Sequence, residues 1–120
     1  MAGALTISTL NNSSGVLATQ NGMTGIAKAW VNFNGSATPT INSSFNVSSI
    51  TYNSTGDFTV NYTTSMPNAT YSFSANAAPA AGTAISSATS LTTSSIRLSC
   101  YTSVGTNTNF ANTCVAIFSS

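Results

Sequence analysis

Tyrosines aside, the titratable chemistry of this 120-residue chain rests on one carboxylate, Asp57, two cations, Lys28 and Arg97, and two thiols, Cys100 and Cys114; histidine is absent. General acid–base catalysis and nucleophile activation need a second group that accepts or supplies a proton. Paired carboxylates and Ser-His-Asp sets are therefore missing by count. Asp57 follows Gly56 in a turn-forming stretch and reads as a turn residue. The cysteines have no CxxC spacing and no histidine to complete a zinc set, and only Lys28 or Arg97 could depress a thiol pKa. Two buried thiols are the expectation. Antiparallel pairing of Cys100 with Cys114, which would set Leu98 against Ala116 and Ile96 against Phe118, leaves a cross-strand disulfide as the alternative. No glycine pattern cradles a phosphate or dinucleotide. The chain reads as a non-enzyme with no cofactor and no metal.

Binding chemistry is equally sparse. Trp30 offers a face on which a sugar could stack, but it lies in the most hydrophobic run and reads as core. Phe110, in a Gly/Asn-rich loop, and the stretch 76–84 are the better candidates for a surface recognition loop. Eight Asn-X-Ser/Thr sequons follow from an asparagine-, serine- and threonine-rich composition. Thr38/Thr40 and Thr106/Thr108 are isolated pairs rather than the regular ranks of an ice-binding face. With a net charge of +1, nothing steers the chain toward nucleic acid or an anionic membrane. No run approaches the roughly 18 apolar residues of a spanning helix. The opening Met-Ala-Gly-Ala-Leu-Thr lacks the charged and apolar regions of a secretory signal, so cytosolic synthesis and a soluble product are expected.

The scaffold that would carry these groups is polar without being ionic. Serine, threonine and asparagine supply 55 residues, and charged side chains only 2%, against about 25% in ordinary domains. A 42% hydrophobic fraction is enough to bury one modest core. Residues 1–25 scatter Leu5, Ile7, Leu10, Val16 and Leu17 without a helical stripe, and read as an extended anchoring or oligomerisation segment. From residue 26 to 120 the pattern is that of strands. Residues 29–34 are bulky and aromatic. Residues 44–48 alternate, then change parity at Ile50, which requires a bulge near Ser48–Ser49. Residues 58–63 alternate again after the turn formers 53–57, giving a hairpin. A turn at 65–68 and a strand at 71–75 continue a meander, residues 76–95 read as a long loop or weak strand, and 96–101 and 113–118 close the fold as two strands. The expected core is Trp30, Phe33, Phe45, Val47, Phe58, Val60, Tyr62, Phe73, Leu98 and Ile117.

Sheets of this composition cannot blunt their edges with lysines or inward charges, and the rows Phe58/Val60/Tyr62 and Tyr71/Phe73 add apolar surface. A closed homo-oligomer is the expected remedy.

The succession Gly25-Ile26-Ala27-Lys28-Ala29-Trp30-Val31-Asn32-Phe33-Asn34-Gly35, Ser44-Phe45-Asn46-Val47-Ser48-Ser49-Ile50-Thr51 and Gly56-Asp57-Phe58-Thr59-Val60-Asn61-Tyr62-Thr63-Thr64, with Met66-Pro67-Asn68 and the terminal Val115-Ala116-Ile117-Phe118, resembles the β-rich fibre-tip or virion-surface domains of tailed, often marine, bacteriophages. The resemblance covers residues 22–75 and, more loosely, the last strands. It implies a non-enzymatic structural protein, trimeric, and transfers no catalytic residue. The expected architecture is thus an all-β, antiparallel sandwich-like knob with an extended N-terminal segment, assembled as a trimer on the virion surface. Read with Met1 as the start, about 25 residues precede the knob and reach at most about 85 Å. That suits a short fibre or decoration subunit anchored on another virion protein, capsid or tail, better than a long tail fibre. The alternatives are a tail-fibre tip recognising a host-surface glycan or protein receptor, and a cellular adhesin or surface-layer module.

Overall fold

The computed structural model describes residue 3, residues 26–78 and residues 84–119, with side chains omitted at 84 and 85. Leu5, Ile7, Leu10, Val16 and Leu17, and with them the expected N-terminal segment, lie outside the described residues. Eight strands and no helix make up the described chain: β1 (Ala27–Asn34), β2 (Thr40–Phe45), β3 (Val47–Ser54), β4 (Asp57–Tyr62), β5 (Ser72–Ala78), β6 (Ala84–Leu91), β7 (Ser95–Thr102) and β8 (Asn112–Phe118). They form two four-stranded antiparallel sheets, ordered β2-β1-β8-β5 and β3-β4-β7-β6.

Period-two alternation selects the inner faces. Val31 and Phe33 of β1 and Val115 and Ile117 of β8 meet Phe58, Val60 and Tyr62 of β4 and Ile96, Leu98 and Cys100 of β7 in one buried cluster. Val47 and Phe73 pack against its margin. The Phe33 and Phe58 rings cross edge to face at 5.3 Å, tying one sheet to the other.

The chain passes between the sheets at Asn46, between β2 and β3, with φ of 55°. Asparagine tolerates this left-handed backbone, and here its side chain also secures the corner. Nδ2 donates to the Lys28 and Thr64 carbonyls, and Oδ1 accepts from the Thr64 amide. The parity change after Phe45 thus has two causes: this crossing, and a register shift between Val47 and Ser49 where a bulge was expected. The hairpin across 53–57 is present, with Gly56 at φ 71°, where a Cβ would strike the Cys100 carbonyl.

One expectation is corrected and two open alternatives are decided. The meander fails after β4, because β5 joins the opposite sheet beside β8. The stretch 76–95 contains the last three residues of β5 and the whole of β6, so strand rather than long loop is the reading that holds; its small residues suit edge strands that hold the ladder through backbone bonds. The last two strands do not pair with each other, and lie in different sheets. Cys100 is therefore opposite Ser86, whereas Cys114 is opposite Asn32 and Asn76; both thiols are free.

Candidate interaction surfaces

The domain has two ends and two outer faces. At one end the chain passes Ile26 into β1, close to the Asn46 corner and to Phe118 at the end of β8. The same end carries a tyrosine pair. The Tyr62 hydroxyl donates to that of Tyr71 at 3.1 Å, and the Tyr71 hydroxyl faces the Thr92 and Ser95 carbonyls at 3.0 and 2.9 Å. Burial pushes both phenols above their ordinary range. These groups hold β4, the approach to β5 and the 92–95 turn together, which is a structural duty.

At the other end the loop after β7 folds back over the hairpin turn. Cys100 N–H donates to the Gly56 carbonyl, Thr108 N–H to the Cys100 carbonyl, and Gly56 N–H to Asn109 Oδ1. Phe110 plugs this end: it is 3% exposed, its carbonyl accepts from Gly35 N–H, and it belongs to the core cluster. It is not a recognition residue, because a large ring in a glycine- and asparagine-rich loop has an open core end to fill. Val104, at the loop tip, is the exposed apolar residue there.

The outer face of the second sheet is polar. Thr51 pairs with Thr59, which pairs with Arg97, and Ser49 pairs with Asn61, which pairs with Ser95. Asn61 Nδ2 lies within reach of the Ser49 and Thr51 hydroxyls. Asp57 accepts from Arg97 Nε at 2.9 Å and from the second guanidinium nitrogen at 2.6 Å, with Asn53 Nδ2 also on Oδ1. Asp57 is thus part of a bidentate ion pair and opens β4, which corrects its reading as a turn residue only. The Arg97 hydrogen bonds hold its carboxyl below the ordinary carboxylate range, against a smaller opposing effect of burial. A carboxylate so engaged is a poor general base. The signal for this pair was in principle present, since the chain has one acid and an arginine in a neighbouring alternating run, but the register joining them is a tertiary fact.

The outer face of the first sheet is different. One rung runs Ser74–Ala116–Trp30–Phe45 across all four strands. Trp30 is 38% exposed, and Phe118, two residues beyond Ala116 on the same face, is 42% exposed. Phe45 is half-buried and outside the core cluster. Placing Trp30 and Phe45 in the core is therefore wrong: β1 carries a large ring on each face, Trp30 outward and Phe33 inward, and ring size alone does not say which side turns inward. Phe33, Phe58, Val60, Tyr62, Leu98 and Ile117 are buried as expected, while Met66, Tyr71 and fully buried Lys28 were missed. On the next rung Asn32 donates to Cys114 Sγ at 3.0 Å and accepts from Asn42, which sits at the register irregularity beside it. Cys100 is buried in the core, and its thiol pKa is raised by that burial.

Among the described residues there is no enclosed cavity, no cluster of three metal-ligating side chains, and no helix long and apolar enough to cross a membrane. Comparison with protein-family models, with curated proteins and with solved structures finds no match.

Proposed function

We propose that the chain is a non-enzymatic structural protein of a phage virion, a homotrimeric short fibre or decoration subunit whose β-knob is displayed on the particle surface. The observation that carries this reading is the distribution of chemistry over the two sheets. Edge strands β2, β3, β5 and β6 carry no charged side chain, and the single described ion pair lies on an inner strand pair, β4 and β7. Such borders are open to pairing, and closure on sister copies is the economical way to protect them. The neutralised Asp57 favours structure over catalysis. The chain joins the knob at Ile26, opposite the end that bears the Val104 loop, which suits anchorage at one end on a capsid or tail protein and display at the other. Multivalent presentation of weak contacts would then supply avidity.

Antibody labelling of intact particles tests the location: regular labels on capsid or tail are expected, and particles without the chain contradict the reading. A receptor-binding tip is the second reading, favoured by the exposed Val104 loop. Binding of the purified protein to host cells supports it, whereas binding only to particles lacking the protein supports decoration.

A further inference from the structure

We propose that sister copies meet through the outer face of the first sheet, with the Trp30–Phe45 ridge of one copy seated on the Ala116–Ser74 floor of the next. This rests on the oligomeric reading above and names its interface. Three observations converge. First, of the four exposed large hydrophobic residues among those described, Trp30 stands opposite Ala116, two residues from Phe118 on the same face, Ile26 precedes Ala27, the partner of Phe118, and only Val104 is elsewhere. Exposed large apolar residues gathered in this way mark an interface, whereas the opposite outer face satisfies itself with side-chain hydrogen bonds.

Second, the rung has a shape that fits its own copy. Ser74 and Ala116 are small, and Trp30 and Phe45 large, in sequence across four strands. Large residues on one side and small ones on the other let identical faces meet ridge on floor, either twice over in an isologous pair or once per copy in a heterologous contact that closes into a ring when the rotation per copy allows it; the trimer reading takes the latter. Trp and Phe are the side chains that dominate such contacts when desolvated.

Third, electrostatics and chain connectivity select a second copy over another partner. The outer positions of this sheet from Trp30 onward carry no charge: Trp30, Asn32, Asn34, Asn42, Phe45 and the even-numbered residues of β8 are neutral. A charged partner would lose hydration here without gaining a counter-ion, whereas an identical neutral face brings no charge to desolvate. Ile26, where the described β-domain begins, precedes Ala27, which pairs with Phe118 of this patch, so copies packed here bring their Ile26 ends near one another, as shared anchorage requires.

Trp30 is the only tryptophan, so its fluorescence reports the interface directly. The test combines solution mass with acrylamide quenching on the wild type, Trp30→Glu and, as a control on the opposite face, Thr51→Glu, with thermal melts to monitor folding. Expected are a three-copy wild type with blue-shifted, weakly quenched emission, a folded single-copy Trp30→Glu protein with threefold lower mass, and a Thr51→Glu protein like the wild type. A three-copy wild type whose tryptophan is quenched to the extent expected of a ring 38% exposed, as in a single copy, overturns this interface while leaving the oligomer standing, even if Trp30→Glu fails to fold. A folded Trp30→Glu protein that keeps three copies does the same. A shielded tryptophan in a two-copy assembly keeps the interface and overturns the trimer. A single-copy wild type overturns both.

Discussion

Across the outer face of the second sheet, Asn53, Asp57, Asn61 and Arg97 bond to one another or to neighbouring hydroxyls, whereas across that of the first sheet Trp30, Phe45 and Phe118 lie against no core. Both faces are assembled from strands of similar length and of the same serine-, threonine- and asparagine-rich composition. The difference is therefore one of placement. A handful of aromatic rings on outward positions of β1, β2 and β8 makes one face in need of a partner, and one bidentate ion pair with its amides makes the other sufficient to itself. Composition predicts that such a sandwich needs company; only the register says on which side.

The comparison is broken most completely in the core that both faces share. Phe58→Ala removes the ring that touches Phe33 across the sheets, and should cost about 3–5 kcal/mol in chemical denaturation. It should collapse both faces together; loss of one sheet's protection in hydrogen exchange with the other intact would show the sheets to be independent. Tyr71→Phe should cost about 1–3 kcal/mol, because Tyr62 loses its acceptor and the Thr92 and Ser95 carbonyls lose a donor near a buried end. Trp30→Ser sharpens the contrast: the unfolding free energy of a single copy should move by less than about 1 kcal/mol, as at ordinary surface positions, while association is lost.

The smallest effect belongs to the ion pair. Arg97 is 48% exposed, so solvent screens the pair and Asp57→Asn should cost little at neutral pH. Its signature is the pH dependence. The folded-state pKa of Asp57 lies below its ordinary 3.8, so its contribution is present above that value and lost as pH falls through 3.8 toward the folded pKa. Thermal melts of the wild type should therefore drop across this acid window, and those of Asp57→Asn should drop less. Equal slopes would mean that the pair contributes nothing.

Where alternation was strict, the sequence was readable: Phe58, Val60 and Tyr62 on one side of β4, with the hairpin before them, follow from period two and a turn rich in Asn, Ser and Gly. Asn46 was not readable, because its left-handed corner looks in sequence like one more polar residue in an alternating strand. Trp30 and Phe110 were each misplaced for the same reason: ring size says that a residue seeks burial, but the side of the sheet and the end of the core are set by strand order. Arg97 and Asp57, 40 residues apart, were joined by the pairing of β7 with β4, which no local pattern encodes. The chain-crossing from β4 to β5 was hidden likewise, since a turn between adjacent strands and a passage between sheets draw on the same Pro, Asn and Ser residues.

The central claim is that this nearly ionless sandwich completes itself with identical copies. Sedimentation equilibrium of the wild-type protein over a wide concentration range addresses it most directly. The account predicts a single species of three chain masses that persists on dilution; a stable one-chain species at the highest concentration would contradict it.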